Sequence, residues 1–125
     1  MHTDDSRLNT LSRLVIGGSF TVLNSLGAGF LEKVYENALV HELRKRGLNV
    51  AQQRGISVLY DDTIVGEYTA DILVEDILLV ELKAVKDLEE PHTAQCINYL
   101  KGSGLKLCLL LNFGNPRLQI KRIAN

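Results

Sequence analysis

The sequence predicts an α/β fold, a mixed central sheet of about five strands flanked on both faces by helices. Three observations predict it. Apolar residues recur at three- and four-residue steps in the first third of the chain, which is the helical period. Three strand-like runs separated by turn residues follow. After a third helical segment comes an almost wholly apolar run, Leu105 to Asn112, the signature of a strand buried on both faces. The resulting order is helix, helix, three strands, helix, strand, strand. A meander followed by a helical crossover into a buried strand makes a mixed sheet.

The first helix is expected from Ser6 to Leu26, with Leu8, Leu11, Val15, Val22 and Leu26 on its stripe. Gly17-Gly18 interrupts the stripe. Each glycine costs about 1 kcal/mol against alanine in a helix interior, so the pair either permits a close backbone approach or marks a kink. Leu26-Gly27-Ala28-Gly29 turns the chain. The second helix is expected from Phe30 to Arg46, with Leu31, Val34, Ala38, Leu39 and Leu43 buried. Arg44-Lys45-Arg46 suits the negative end of its dipole and Gly47 caps it.

Strands are expected over Val50 to Tyr60, Ile64 to Val74 and Ile77 to Val85, with Asp61-Asp62 turning between the first two. Pro91 opens a third helix from about His92 to Lys101, closed by Gly102 and Gly104. Leu105 to Asn112 and Arg117 to Ile123 complete the sheet.

With 125 residues, 46% hydrophobic and 23% charged, the chain fits one domain spanning residues 1–125. Fourteen basic residues against fifteen acidic ones give a net charge of −1, which excludes a global basic field. Nucleic-acid binding would then need bound metal to neutralise clustered carboxylates, leaving Lys33, Arg44, Lys45, Arg46, Lys101, Lys106, Lys121 and Arg122 to meet phosphate. The start Met1-His2-Thr3-Asp4-Asp5-Ser6-Arg7 is polar and acidic, unlike a secretory signal, so a cytoplasmic protein is expected. The apolar run Leu105 to Phe113 contains Lys106 and is too short to cross a membrane. Cys96 and Cys108 have no partner at zinc spacing and read as small buried hydrophobes rather than a disulfide.

Charge inside the apolar strands is the functional signal. Asp71 lies in Thr69-Ala70-Asp71-Ile72-Leu73-Val74, and Glu81 with Lys83 in Leu79-Val80-Glu81-Leu82-Lys83-Ala84. An unpaired buried ion costs several kcal/mol, so something must compensate these groups. A divalent cation such as Mg2+ or Mn2+ on the two carboxylates, beside an ammonium, would do so and would suit phosphodiester cleavage. Glu81 and Lys83 share a strand face. Asp71 joins them if the connection is the three residues Glu75-Asp76-Ile77 or a bulge intervenes, whereas a two-residue turn Glu75-Asp76 would put them on opposite faces. The bland alternative is an exposed Glu-x-Lys pair on a strand edge. Glu32, Tyr35 and Glu36 share one face of the second helix, and Gln95 with Tyr99 one face of the third. His92 reads as a surface or capping residue.

Together Gly29-x-x-Glu32-x-x-Tyr35, the strand Asp71, Glu81-x-Lys83, Gln95-x-x-x-Tyr99 and Leu111-Asn112-Phe113-Gly114 resemble the GxxExxY family, a small-protein branch of the PD-(D/E)XK nuclease superfamily. The likeness covers nearly the whole chain. It implies a restriction-endonuclease-like core, with Asp71 and Glu81 as metal ligands and Lys83 as catalytic lysine. It also implies that Glu32 approaches the metal and that Gln95 and Tyr99, with Tyr35, contact the nucleic acid. Leu23 stands where many relatives carry histidine, and Ala28 where they carry proline. The expected activity is a Mg2+- or Mn2+-dependent nuclease acting on DNA, as a homodimer or recruited by a larger complex. The alternative is a non-catalytic nucleic-acid- or protein-binding module on the same fold.

Overall fold

A computed structural model describes residues 2–125, with side chains from residue 5 onward. Met1, where the polar start begins, lies outside the described residues. The elements are α1 (His2–Leu26), α2 (Glu32–Lys45), β1 (Val50–Tyr60), β2 (Thr63–Val74), β3 (Leu78–Lys83), α3 (Glu90–Ser103), β4 (Leu107–Asn112) and β5 (Gln119–Ala124). They form one five-stranded sheet in the order β1-β2-β3-β4-β5. β3 and β4 run parallel and the other neighbours antiparallel, so the sheet is mixed as the sequence predicts.

Side-chain alternation assigns the faces. Leu78, Val80, Leu82, Leu107, Leu109 and Leu111 pack under α1 and α2. Leu79, Cys108, Leu110 and Ile123 pack under Cys96, Tyr99 and Leu100 of α3. Among the described residues no helix is long and apolar enough to cross a membrane.

α1 passes through Gly17-Gly18 without a break, so the glycines serve close approach rather than a kink. A Cβ on Gly18 would lie 3.1 Å from Leu43 Cδ2, and one on Gly17 3.3 Å from Arg46 Nη1. Leu31 and Val34, expected in the core, are 80% and 38% exposed. The reason is local: Leu31 is an extended residue ahead of the helix, and the buried face of α2 is Tyr35, Glu36, Leu39, Val40 and Leu43. α3 begins at Glu90, where His92 and Glu89 form a capping box, and Gly104 closes it with φ +73°. Both cysteines are buried thiols.

β1 and β2 form a long hairpin whose tip residues Asp61 and Asp62 have φ of +49° and +59°, suited to a tight primed turn. β3 pairs with β2 only from Ile72 to Val74, so the outer part of the hairpin extends past it. The hairpin also changes face. Ile72 and Val74 point toward α1 and α2, whereas Ala70 and Ile56 pack on the α3 side. The change falls at Gln53, which has φ +56° and sits where the β1–β2 ladder skips the pair opposite Asp71. A non-glycine residue in that region is strained and needs local support. The Gln53 amide supplies it by donating to Glu36 Oε2 at 2.9 Å.

Candidate functional site

The turn between β2 and β3 decides the site. Val74 pairs with Leu78, Leu73 with Leu79 and Ile72 with Val80, which leaves Glu75, Asp76 and Ile77 as an odd-length connection. One further step sets Asp71 against Glu81, as the sequence required. Glu75 and Asp76 both take positive φ, +52° and +62°. Glu75 is held there from two sides: its carboxylate accepts from Arg7 Nη2 at 2.8 Å and from the Asn49 N–H at 2.5 Å.

Beyond Ile72 and Val80 the two strands part, and the carboxylates fill the opening. Glu81 Oε1 accepts from the Asp71 N–H at 3.0 Å, and Asp71 Oδ2 accepts from the Leu82 N–H at 2.9 Å. Glu81 is 2% exposed. Burial, then the charge of Asp71, pushes its carboxyl up to about 10. A buried acid beside a second carboxylate is short of positive charge. It either keeps its proton or exchanges it for a cation.

Lys83 follows two residues along β3 on the same face, partly exposed, and its side chain has no ion-pair or hydrogen-bond partner among the described residues. Its charge is felt at Glu32 and at Cys96. Glu32, the first residue of α2, is raised by burial first and then by Asp71, while Lys83 opposes the rise. The N-terminus of α2 thus brings Glu32 to the edge of the site. Glu32 does not complete a cage: among the described residues no three His, Cys, Asp or Glu side chains are gathered to hold a metal ion. A donor set of two carboxylates fits a hard cation that keeps several waters, such as Mg2+ or Mn2+, and does not fit a closed structural zinc site.

From the other side α3 contributes Tyr99 and Gln95. Gln95 Nε2 donates to Tyr99 Oη at 3.0 Å. Burial, then the charges of Glu81 and Asp71, raises the Tyr99 phenol to about 12, so it is a hydrogen-bond donor beside the carboxylates at neutral pH.

Tyr35 belongs elsewhere. It is fully buried, its hydroxyl donates to the Gly27 carbonyl at 2.6 Å and accepts from the Phe30 N–H at 3.2 Å, and its ring stacks on Phe113 at 5.0 Å. It fixes the turn that leads into Glu32 and offers nothing to a substrate. Leu23 is likewise in the core. Four of the expected basic residues, Arg44, Lys45, Arg46 and Arg122, do not gather at the carboxylates, whereas the charge of Lys33 is felt at Glu32. Arg44, Lys45 and Arg46 sit at the far end of α2 from Glu32, roughly 20 Å away by helix rise. Arg46 and Lys45 pair with Glu42, and Arg122 donates to Ser12 and Asn9.

Two residues without an assigned role hold the chain that follows Lys83. Asn112, fully buried at the end of β4, pairs with Lys83 in the parallel ladder. Its Oδ1 accepts from the Val85 and Gly114 N–H groups, and its Nδ2 donates to the Val85 carbonyl and Gln119 Oε1, at 2.7 to 3.0 Å. Gly114 lies so close to Val85 that a Cβ there would collide with the Val85 backbone N and O. The available signal was a lone amide ending a run of leucines. Its register beside Lys83 came only from the fold.

A search of curated proteins finds no match, and a search of solved structures finds none either. A scan against protein families matches residues 9–123, which include α2, α3, β1 to β4 and all of β5 but its last residue. With the mixed sheet and the carboxylate pair in place, that match shows that this chain belongs to the PD-(D/E)XK nuclease superfamily.

Proposed function

We propose that the protein is a divalent-metal-dependent nuclease acting on DNA, of the GxxExxY type, with Asp71, Glu81 and Lys83 as its catalytic residues. The observation that carries this reading is the reciprocal Asp71–Glu81 pair, with an unpartnered lysine two residues further along the same strand face. Asp71 and Glu81 would hold Mg2+ or Mn2+ through the oxygens not engaged by the backbone, and Glu32 would assist from α2. The chemistry supplied by the cation is acidification of a water molecule and neutralisation of charge at the scissile phosphoryl group.

Lys83 orients the attacking water and donates to the phosphoryl oxygens as negative charge grows on them. One such donor is worth about 3 kcal/mol of barrier, or a factor of 10² to 10³. Tyr99, whose phenol is raised by burial and then by the neighbouring carboxylates, donates to the phosphate backbone, and Gln95 fixes its hydroxyl. Burial of Glu81 beneath α3 keeps water from screening the pair.

A second reading, a non-catalytic nucleic-acid- or protein-binding module, draws on the dispersal of the basic residues. One experiment separates the two. Linear and circular, single- and double-stranded DNA are incubated with Mg2+ or Mn2+ and either wild type or Lys83→Ala, purified side by side. Cleavage by wild type alone supports the nuclease, and the products tell endo from exo. Metal-dependent cleavage that survives in Lys83→Ala overturns the catalytic assignment. Retention of DNA in chelator with no cleavage supports the binding module. A homodimer that places two sites on two strands, or recruitment by a larger complex, would add to the grip of a chain of net charge −1.

A further inference from the structure

β2 carries an aromatic residue that the carboxylate chemistry does not use. Tyr68 lies three residues before Asp71, beyond the point where the hairpin changes face, so it comes to the α3 side together with the site. Its ring rests on Tyr99, with centroids 5.4 Å apart and planes at 53°, while 42% of the residue remains open to solvent. Tyr99 in turn packs in one cluster with Ala70 and Leu79, which neighbour Asp71 and Glu81 along β2 and β3, and its phenol is raised by burial and then by the charges of Glu81 and Asp71. A half-exposed aromatic ring, braced from behind by a second ring, therefore stands at the rim of the two carboxylates. An unbraced surface tyrosine loses side-chain freedom when it is covered, and Tyr68 has already lost much of it.

We propose that Tyr68 is a nucleobase-stacking residue, and that the substrate enters as a single strand whose unpaired base lies on the open face of the Tyr68 ring. The inference rests on the nuclease reading and names its substrate class. A base inside a duplex offers a protein only its edge, whereas an unpaired base offers its whole face. Stacking tolerates any sequence and needs no dense cationic surface at that point, which matches a chain of net charge −1 whose Arg46, Lys45 and Arg122 are engaged elsewhere. Tyr68 acts by positioning the nucleotide next to the phosphate that Lys83 and Tyr99 face. It does not touch the bond that breaks.

The test is binding of single-stranded oligonucleotides that carry one 2-aminopurine, a base whose fluorescence falls on stacking, with the full chain in Ca2+ or chelator so that nothing is cut. Wild type and Tyr68→Phe should quench the probe and bind alike. Tyr68→Leu, which keeps an apolar cover on Tyr99, should lose the quench and bind about tenfold more weakly. Replacing the probed nucleotide by an abasic one should erase that difference, while binding to blunt duplex should not distinguish the variants. Circular dichroism melts show whether Tyr68→Leu is folded, and Tyr68→Trp, which enlarges the ring, gives a second reading in the opposite direction. Equal quenching and affinity for wild type and Tyr68→Leu overturn the proposal, whatever the cleavage assay shows. Absence of Lys83-dependent cleavage with the quench intact overturns the nuclease reading and leaves Tyr68 as a stacking site.

Discussion

Asp71 and Glu81 each hydrogen-bond the backbone of the other's strand: Glu81 Oε1 accepts from the Asp71 N–H and Asp71 Oδ2 from the Leu82 N–H. The carboxylates thus stand in for ladder bonds that the parting strands no longer make. Each is at once a structural acceptor and a candidate metal ligand, and substitutions can separate the two roles. Asp71→Asn keeps an oxygen for the Leu82 N–H but removes the carboxylate charge of that residue. It should fold and lose Mn2+ binding in a calorimetric titration. Asp71→Ala leaves that N–H without its acceptor and should also lose about 1–3 kcal/mol in urea unfolding. Full Mn2+ affinity in Asp71→Asn would remove Asp71 from the ligand set.

The raised Glu81 carboxyl gives a pH dependence with a defined sign. Its ordinary value is 4.5 and its folded value about 10 in the metal-free protein. Between these the folded state holds a proton that the unfolded state has released, so its contribution to stability is full below 4.5 and is lost as pH rises toward 10. Burial enforces the rise first, and the charges of Asp71 and, more weakly, Cys96 add to it. In chelator, wild type should therefore become less stable against urea from pH 5 to pH 9, a slope that Glu81→Gln flattens. Saturating Mn2+ should flatten it as well, and its uptake should release protons, read as a buffer-dependent heat of binding. Parallel slopes for wild type and Glu81→Gln would show that the carboxyl is already ionised.

Tyr35→Phe removes a hydroxyl that bridges the Gly27 carbonyl and the Phe30 N–H, and leaves the stack on Phe113 in place. A loss of about 1 kcal/mol in stability is expected from the broken bonds. Oligonucleotide affinity should not change, because the ring is buried. A selective loss of affinity would return Tyr35 to the binding surface.

Gly114→Ala should be among the most damaging single-methyl additions in the chain. The new Cβ meets the backbone of Val85 rather than a movable side chain, so segment 84–88 must shift. A loss of about 3 kcal/mol or more is expected in urea unfolding. Asn112→Ala should weaken the same segment by leaving the Val85 N–H and carbonyl unpaired, and it should lower Lys83-dependent cleavage more than it lowers DNA affinity.

Much of the fold was legible because its signals are local. The strand and helix periods, Pro91, Gly47 and Gly104 all act within a few residues of themselves. The pairing of Asp71 with Glu81 was narrowed to a choice between a two-residue turn and a three-residue connection, and the odd length of Glu75, Asp76 and Ile77 came from the fold. Tyr35 was misread because an amphipathic helix does not announce which polar atoms meet a turn; its hydroxyl donates to the carbonyl of Gly27, in a turn where that glycine takes φ +75°. The face change at Gln53 was hidden for a different reason. It depends on Glu36, seventeen positions away, and no local propensity marks glutamine for a left-handed conformation. Simple alternation from Asp71 would put Tyr68 on the opposite side of the sheet from Tyr99, whereas the two rings meet.

The overhanging hairpin has a consequence for how this chain can vary. From Thr63 to Ala70, β2 has no β3 partner, and the tip at Asp61-Asp62 lies far along the strands from the Asp71–Glu81 pair. Lengthening or shortening the arm by paired residues beyond Val58 and Gly66 leaves Ile56, Tyr68, Ala70 and the Asp71–Glu81 pair in place. Descendants of this sequence can thus trade one arm for another, and an inserted tag or fluorophore at residues 61–62 is the natural handle for watching the protein at work.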